Sequence, residues 1–164
     1  MSPLSPQVPG VVVMRCPLTD RVRPVSDNSA PARPLKVLVY SDDRTVRQQV
    51  YLALGPRPSA DLPAIEYTEC ATEPAVISAV DKGGFDLLIL DGEAAPAGGL
   101  GISRQLKDEI YQCPPILVLV GRPQDAWLAT WSRADAAVAH PINGIALAGE
   151  VVRLLAARQA VATV

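Results

Sequence analysis

Apolar residues along the chain follow two periods that take turns. Leu35-Lys36-Val37-Leu38-Val39-Tyr40 is a short apolar run rich in β-branched residues, as a strand buried on both faces requires. Residues 45–54 then place Val46, Val50 and Leu54 at i, i+4 and i+8, the stripe of a helix that Gly55-Pro56 stops. Residues 64–70 alternate as a second strand. Thr72 stands where it can cap a second helix, with Val76, Ile77 and Val80 inward and Gly83-Gly84 at its end. Residues 85–90 form the most apolar strand. Ile102, Leu106 and Ile110 mark a third helix, broken by Pro114-Pro115. Residues 116–120 are the fourth strand, 125–133 the fourth helix, and 136–139 a short fifth strand. Residues 145–157 close the pattern as a helix with Ile145, Val152 and Leu155 inward.

Strands and helices that alternate over short connections make a parallel sheet covered on both faces. Five such units within residues 35–158 suit an α/β, doubly wound (βα)5 fold of flavodoxin-like strand order 2-1-3-4-5. Residues 159–164 are left as a C-terminal tail. The first 34 residues belong to neither period. Seven of the sixteen prolines lie there, and proline at that density blocks helix and central-strand pairing. This extension is either disordered alone or an arm that orders on a partner, with Val11, Val12 and Val13 as its apolar anchor.

Composition narrows the function classes. The chain is 49% apolar with a net charge of −2, enough for a core and without a basic field for nucleic acid. No DNA-binding domain is expected after the last helix. No apolar run approaches the roughly 20 residues of a membrane span. Cys16, Cys70 and Cys113 form no metal or disulfide spacing and read as reduced cytosolic thiols. With His140 as the one histidine, no Ser/His/Asp or Cys/His set can be assembled. The chain is therefore not expected to be an enzyme. Gly98-Gly99-Leu100-Gly101 lacks the spacing of a nucleotide loop and reads as a flexible loop.

In a doubly wound sheet, ligands gather at the carboxyl ends of the strands. Those ends carry Ser41-Asp42-Asp43, then Asp91, then Val120-Gly121, then His140-Pro141. In this order and at these intervals, the residues resemble response-regulator (CheY-like) receiver domains from Leu35 to about Arg158. The resemblance implies a phosphoacceptor at Asp91 and an acidic pair after the first strand that holds Mg2+. It also implies a hydroxyl at the end of the fourth strand and a lysine before the fifth-strand proline, both touching phosphoryl oxygens.

Several of those parts are altered. With Arg44-Thr45-Val46-Arg47 as the start of the first helix, Ser41 and Asp42 fall at the two metal positions; a shift of one would place Asp42 and Asp43 there instead. Asp42 and Asp91 are then the candidate Mg2+ ligands. Val120 replaces the hydroxyl and cannot donate a hydrogen bond. His140 replaces the lysine, and imidazole is no fixed ammonium. Ala137 stands where an aromatic switch residue is implied. The resemblance thus reads as a degenerate pseudo-receiver that works as a protein-interaction module. The alternative is a single-domain regulator phosphorylated on Asp91 by a histidine kinase.

Trp127 and Trp131 lie i, i+4 on the fourth helix and share a face. They are either core residues or, for Trp127, the anchor of an interface. Finally, Leu38-Val39-Tyr40-Ser41-Asp42, Leu90-Asp91-Gly92-Glu93-Ala94, Gln105-Leu106-Lys107-Asp108-Glu109 and Cys113-Pro114-Pro115-Ile116-Leu117-Val118-Leu119 resemble orphan, receiver-only proteins of actinobacterial type. That resemblance implies an accessory subunit on the cytoplasmic arm of the proton-pumping NADH dehydrogenase, complex I. It places the protein in the cytoplasm, peripheral to the inner membrane through a complex and without direct insertion.

Overall fold

The computed structural model describes residues 33–162. The chain divides into two units, Met1–Ala30 and Pro31–Val164, and the described residues belong to the second. Val11, Val12, Val13 and Cys16 lie outside them.

Five parallel strands, β1 (Leu35–Tyr40), β2 (Ile65–Cys70), β3 (Leu87–Asp91), β4 (Ile116–Val120) and β5 (Ala136–Ala139), form one sheet in the order β2-β1-β3-β4-β5. This is the flavodoxin-like strand order expected by analogy for five alternating units. The helices are α1 (Arg44–Leu54), α2 (Glu73–Asp81), α3 (Gly99–Glu109), α4 (Trp127–Trp131) and α5 (Gly144–Ala162). β3 and β4 are buried at every position, so their side chains feed two cores. Val37, Val39, Leu87, Ile89, Leu117 and Leu119 pack with α1 and α5 on one face. Leu38, Tyr40, Leu88, Leu90, Ile116, Val118 and Val120 pack with α2 and α3 on the other.

The structure corrects three helix readings. Ile145 is 87% exposed, and the buried stripe of α5 is Leu147, Val151, Leu154 and Leu155. The phase is set by Asn143, whose side chain accepts from the amides of Ile145 and Ala146 at 3.0 and 3.1 Å. These three bonds to Asn143, including that from the amide of Leu147 to its carbonyl, leave Ile145 facing outward. α5 also runs on to Ala162, past the Arg158 boundary of the expected tail. The single helix expected over 125–133 is a 3-10 turn, Pro123–Ala126, followed by the short α4. The run Gly98 to Gly101 is no flexible loop: it opens α3. A Cβ on Gly99 would lie 2.6 Å from the carbonyl oxygen of Asp91, so glycine is what lets α3 start against the end of β3.

At the amino end of the sheet, Asp86 joins segments far apart in sequence. Its carboxylate accepts from both guanidinium nitrogens of Arg33 at 2.8 and 3.0 Å and from the amide of Lys36 at 2.9 Å. Burial pushes the Asp86 carboxyl up, but Arg33, the Lys36 amide and Arg158 outweigh it and hold it below the usual range. A depressed folded-state value means stabilisation that is present above about pH 4, where the unfolded carboxylate is ionised, and lost as pH falls through the folded value. Asp86→Asn is expected to lower stability by about 1–3 kcal/mol at neutral pH. Urea unfolding should show the gap between variant and parent closing below about pH 4.

Candidate functional site

β1, β3, β4 and β5 end side by side, and their last residues deliver Ser41, Asp91, Val120 and His140 to one edge. Asp91 is 3% exposed, and a carboxylate at that depth needs partners. The Ser41 hydroxyl donates to one of its oxygens at 2.7 Å, and the Glu93 amide donates to the other at 3.0 Å. The His140 ring nitrogen Nε2 lies 3.7 Å from that second oxygen. Both carboxylate oxygens are therefore engaged by the chain itself.

The three residues after β1 take different places in this geometry. Ser41 is fully buried, bonds Asp91 and accepts from the Asp43 amide at 3.1 Å. Asp43 is the N-cap of α1, its carboxylate accepting from the Thr45 amide at 2.7 Å. Asp43 is thereby committed to the helix, and Ser41 and Asp42 hold the two positions nearest the sheet. Asp42 itself is exposed. Val120 is 1% exposed and belongs to the core beside Ala137 and Ala139. Its side chain brings only methyl groups to the edge. Ala137 pairs with Val118 on the neighbouring strand and is partly buried, with no ring to rotate.

Three residues that sequence reasoning missed hold this edge in place. Arg47 donates to the Ser41 carbonyl at 2.6 Å and pairs with Glu69 at 3.1 Å, strapping the β1–α1 loop to β2. The buried Tyr40 hydroxyl donates to the Ala97 carbonyl at 2.6 Å, fixing the loop after β3 to the end of β1. Burial and the nearby Asp42, Glu73 and Asp91 carboxylates raise the Tyr40 phenol, which stays a donor. The Glu93 carboxylate lies across Gly121: a Cβ there would meet it at 2.8 Å. None of these contacts follows a helical or strand period, and all but the Arg47–Ser41 bond join segments distant in sequence.

Among the described residues, no group of three or more His, Cys, Asp or Glu side chains gathers to hold a metal. Asp42 and Asp91 are the side chains through which Mg2+ would attach, and one or two carboxylates plus water are chemically sufficient for that ion. Bound there, it would neutralise charge between the two acids. The remaining candidates lie elsewhere. Trp127 and Trp131 are 64% and 51% exposed, so the core reading fails for both. Cys70 and Cys113 are free thiols, and burial pushes both up, away from reactivity at neutral pH. Among the described residues, no helix is long and apolar enough to cross a membrane.

No family model matches the chain. A response regulatory protein of Mycobacterium tuberculosis, found in two strains, is 58% identical over 123 residues, which are 75% of this chain and 92% of the relative. The chain belongs to the response-regulator receiver family. Solved receivers share its fold at lower identity. A chemotaxis response regulator of Vibrio cholerae superposes with a TM-score of 0.63 at 22% identity, covering 74% of this chain and 99% of its own. A CheY-like receiver domain protein of Methanospirillum hungatei gives 0.63 at 15%, covering 77% and 98%.

In this receiver the Ser41 hydroxyl is the one side-chain hydrogen-bond donor to Asp91 among the described contacts. Ser41→Ala leaves a buried carboxylate oxygen without it, and is expected to lower stability by about 1–3 kcal/mol in urea unfolding at pH 7. Ser41→Thr, which keeps the hydroxyl, should recover most of that loss. Equal stability of Ser41→Ala and the parent would show that the bond carries no weight.

Proposed function

We propose that this receiver works as a non-catalytic interaction module whose signal is not phosphorylation of Asp91. The observation that supports this is the state of Asp91. A phosphoacceptor needs a free oxygen to attack phosphorus and cations to take up the charge that builds on the phosphoryl group. Here Ser41 and the Glu93 amide hold both oxygens, Val120 offers methyl groups, and His140 stands where the family's lysine would be. The Glu93 carboxylate beside Gly121 adds negative charge at the same edge. Any Mg2+ on Asp42 and Asp91 would serve as a structural counter-ion.

Phosphorylation keeps one supporting observation of its own, the acceptor Asp91 at the end of β3 with Asp42 nearby in the loop. The two readings separate on one measurement. The full chain, incubated with Mg2+ and 32P-labelled acetyl phosphate, is expected to take up no label. The combined variant Ser41→Asp, Val120→Thr and His140→Lys is expected to take up label that Asp91→Asn abolishes. Label on the parent chain that Asp91→Asn removes would overturn the proposal and point to a histidine kinase as partner.

For the partner, the resemblance to orphan actinobacterial receivers supports the cytoplasmic arm of the proton-pumping NADH dehydrogenase, with Trp127 as an anchor of the docking face. The protein would then sit at the cytoplasmic face of the inner membrane through the complex, not by insertion. Chromosomally tagged at native expression, it is expected to co-purify with the NADH dehydrogenase at constant stoichiometry from detergent-solubilised membranes. Recovery only as free monomer would remove the complex from the proposal.

A further inference from the structure

The face formed by α3, α4 and the turn after α4 is apolar and cationic together. Trp127 and Trp131 project into solvent, and they are the only tryptophans in the chain. The Arg104 guanidinium lies 5.7 Å from the centre of the Trp131 ring and donates to the Trp131 carbonyl at 2.8 Å. It also pairs with Asp108 at 3.1 Å, and Arg133 pairs with the same Asp108. Two guanidiniums thus share one carboxylate, and between them they carry far more N–H donors than it can accept. Arg122, ahead of the 3-10 turn that precedes α4, is matched one to one by Asp125 at 3.2 Å.

This face is held rigid from beneath. The buried Ser103 hydroxyl donates to the Ser132 carbonyl and the buried Ser132 hydroxyl to the Ala129 carbonyl, both at 3.0 Å, which fixes α4 to α3. Arg133 takes a φ of 58° just after α4, a left-handed position where glycine is the ordinary choice. An arginine there is strained, and what it presents is its guanidinium beside Arg104.

We propose that this face docks a segment of a partner protein in which an Asp or Glu side chain lies next to a large apolar one. The partner's carboxylate would join the Arg104 and Arg133 pair, and its apolar neighbour would cover Trp127 and Trp131. A planar guanidinium fork matches a carboxylate in geometry, and tryptophan and arginine are the residue types that anchor such contacts. The surplus of donors fits one added carboxylate. A polyphosphate or an anionic membrane would bring many charges against Asp108 and Asp125 on the same face. This inference rests on the interaction-module reading and adds the partner's chemistry to it.

The two tryptophans report the binding directly. The full chain is titrated with a synthetic peptide of alternating Glu and Leu, and with a Lys/Leu twin, while tryptophan fluorescence is read. A saturable change with the Glu/Leu peptide only, weakening with added salt, is expected. Trp127→Ala and the pair Arg104→Gln with Arg133→Gln should each weaken it about tenfold, with circular dichroism unchanged. Trp131→Phe keeps an aromatic ring and should keep most of the affinity. Equal response to both peptides, no response to the Glu/Leu peptide, unaltered binding in the variants, or stronger binding to phosphatidylglycerol vesicles than to the peptide would each overturn it. The outcome is independent of co-purification. A complex that retains the Trp127 and arginine variants removes this face and leaves the module standing, whereas peptide binding without a complex keeps the face and removes only the NADH dehydrogenase as its partner.

Discussion

Burial of the central strands on both faces is the constraint on which this molecule is built. β1, β3 and β4 carry apolar side chains up and down, so a polar group on them is tolerated only at an end, where loops can supply partners. Asp91 and Asp86 mark the two ends. Asp86 is met by Arg33, the Lys36 amide and Arg158, a cationic set that compensates its charge. Asp91 is met mainly by neutral donors, a serine hydroxyl and a backbone amide, with one imidazole further off. The two buried carboxylates of one sheet are thus balanced by different means. The first serves to tie chain segments together. The second sits where the loops, and hence any partner or ligand, converge.

The fold was legible because its signals are periodic. Strands of four to six residues in largely apolar runs and helices with an i, i+4 stripe state their own type, whereas the strand order came only from the analogy with other doubly wound folds. The misreadings came where the period was too short or its phase was set by a cap. Ile145 looked inward because it is apolar, but Asn143 fixes the turn and turns it to solvent. The tryptophans looked as suited to the core as to the surface, because a five-residue helix gives one turn and a third of another, too little to define a face.

At the site, the positions of Asp91, Val120 and His140 could be read from strand ends, while their partners could not. Arg47 reaches Glu69 on β2, Tyr40 reaches Ala97 and Glu93 reaches Gly121, and a single sequence holds no record of such pairings. The register after β1 was likewise open between two settings one residue apart. In the fold the Asp43 side chain caps α1 at the Thr45 amide while Ser41 faces Asp91.

The substitutions at this edge make chemical sense as a set. A second carboxylate at position 41 would face Asp91 at hydrogen-bond distance, and two buried acids that close cannot both stay ionised without a cation between them. A fixed lysine at position 140 would give Asp91 the charge partner that imidazole supplies only when protonated. With histidine at that position, Ser41 is the side chain that hydrogen-bonds Asp91 in the fold. Val120 extends the apolar core with Ala137 and Ala139. Each change lowers the need for the others. This edge is a hydrogen-bonded terminus of the sheet, with Ser41 and the Glu93 amide on Asp91 and Val120 in the core. If the receiver works as the interaction module proposed above, recognition falls to its outer surface.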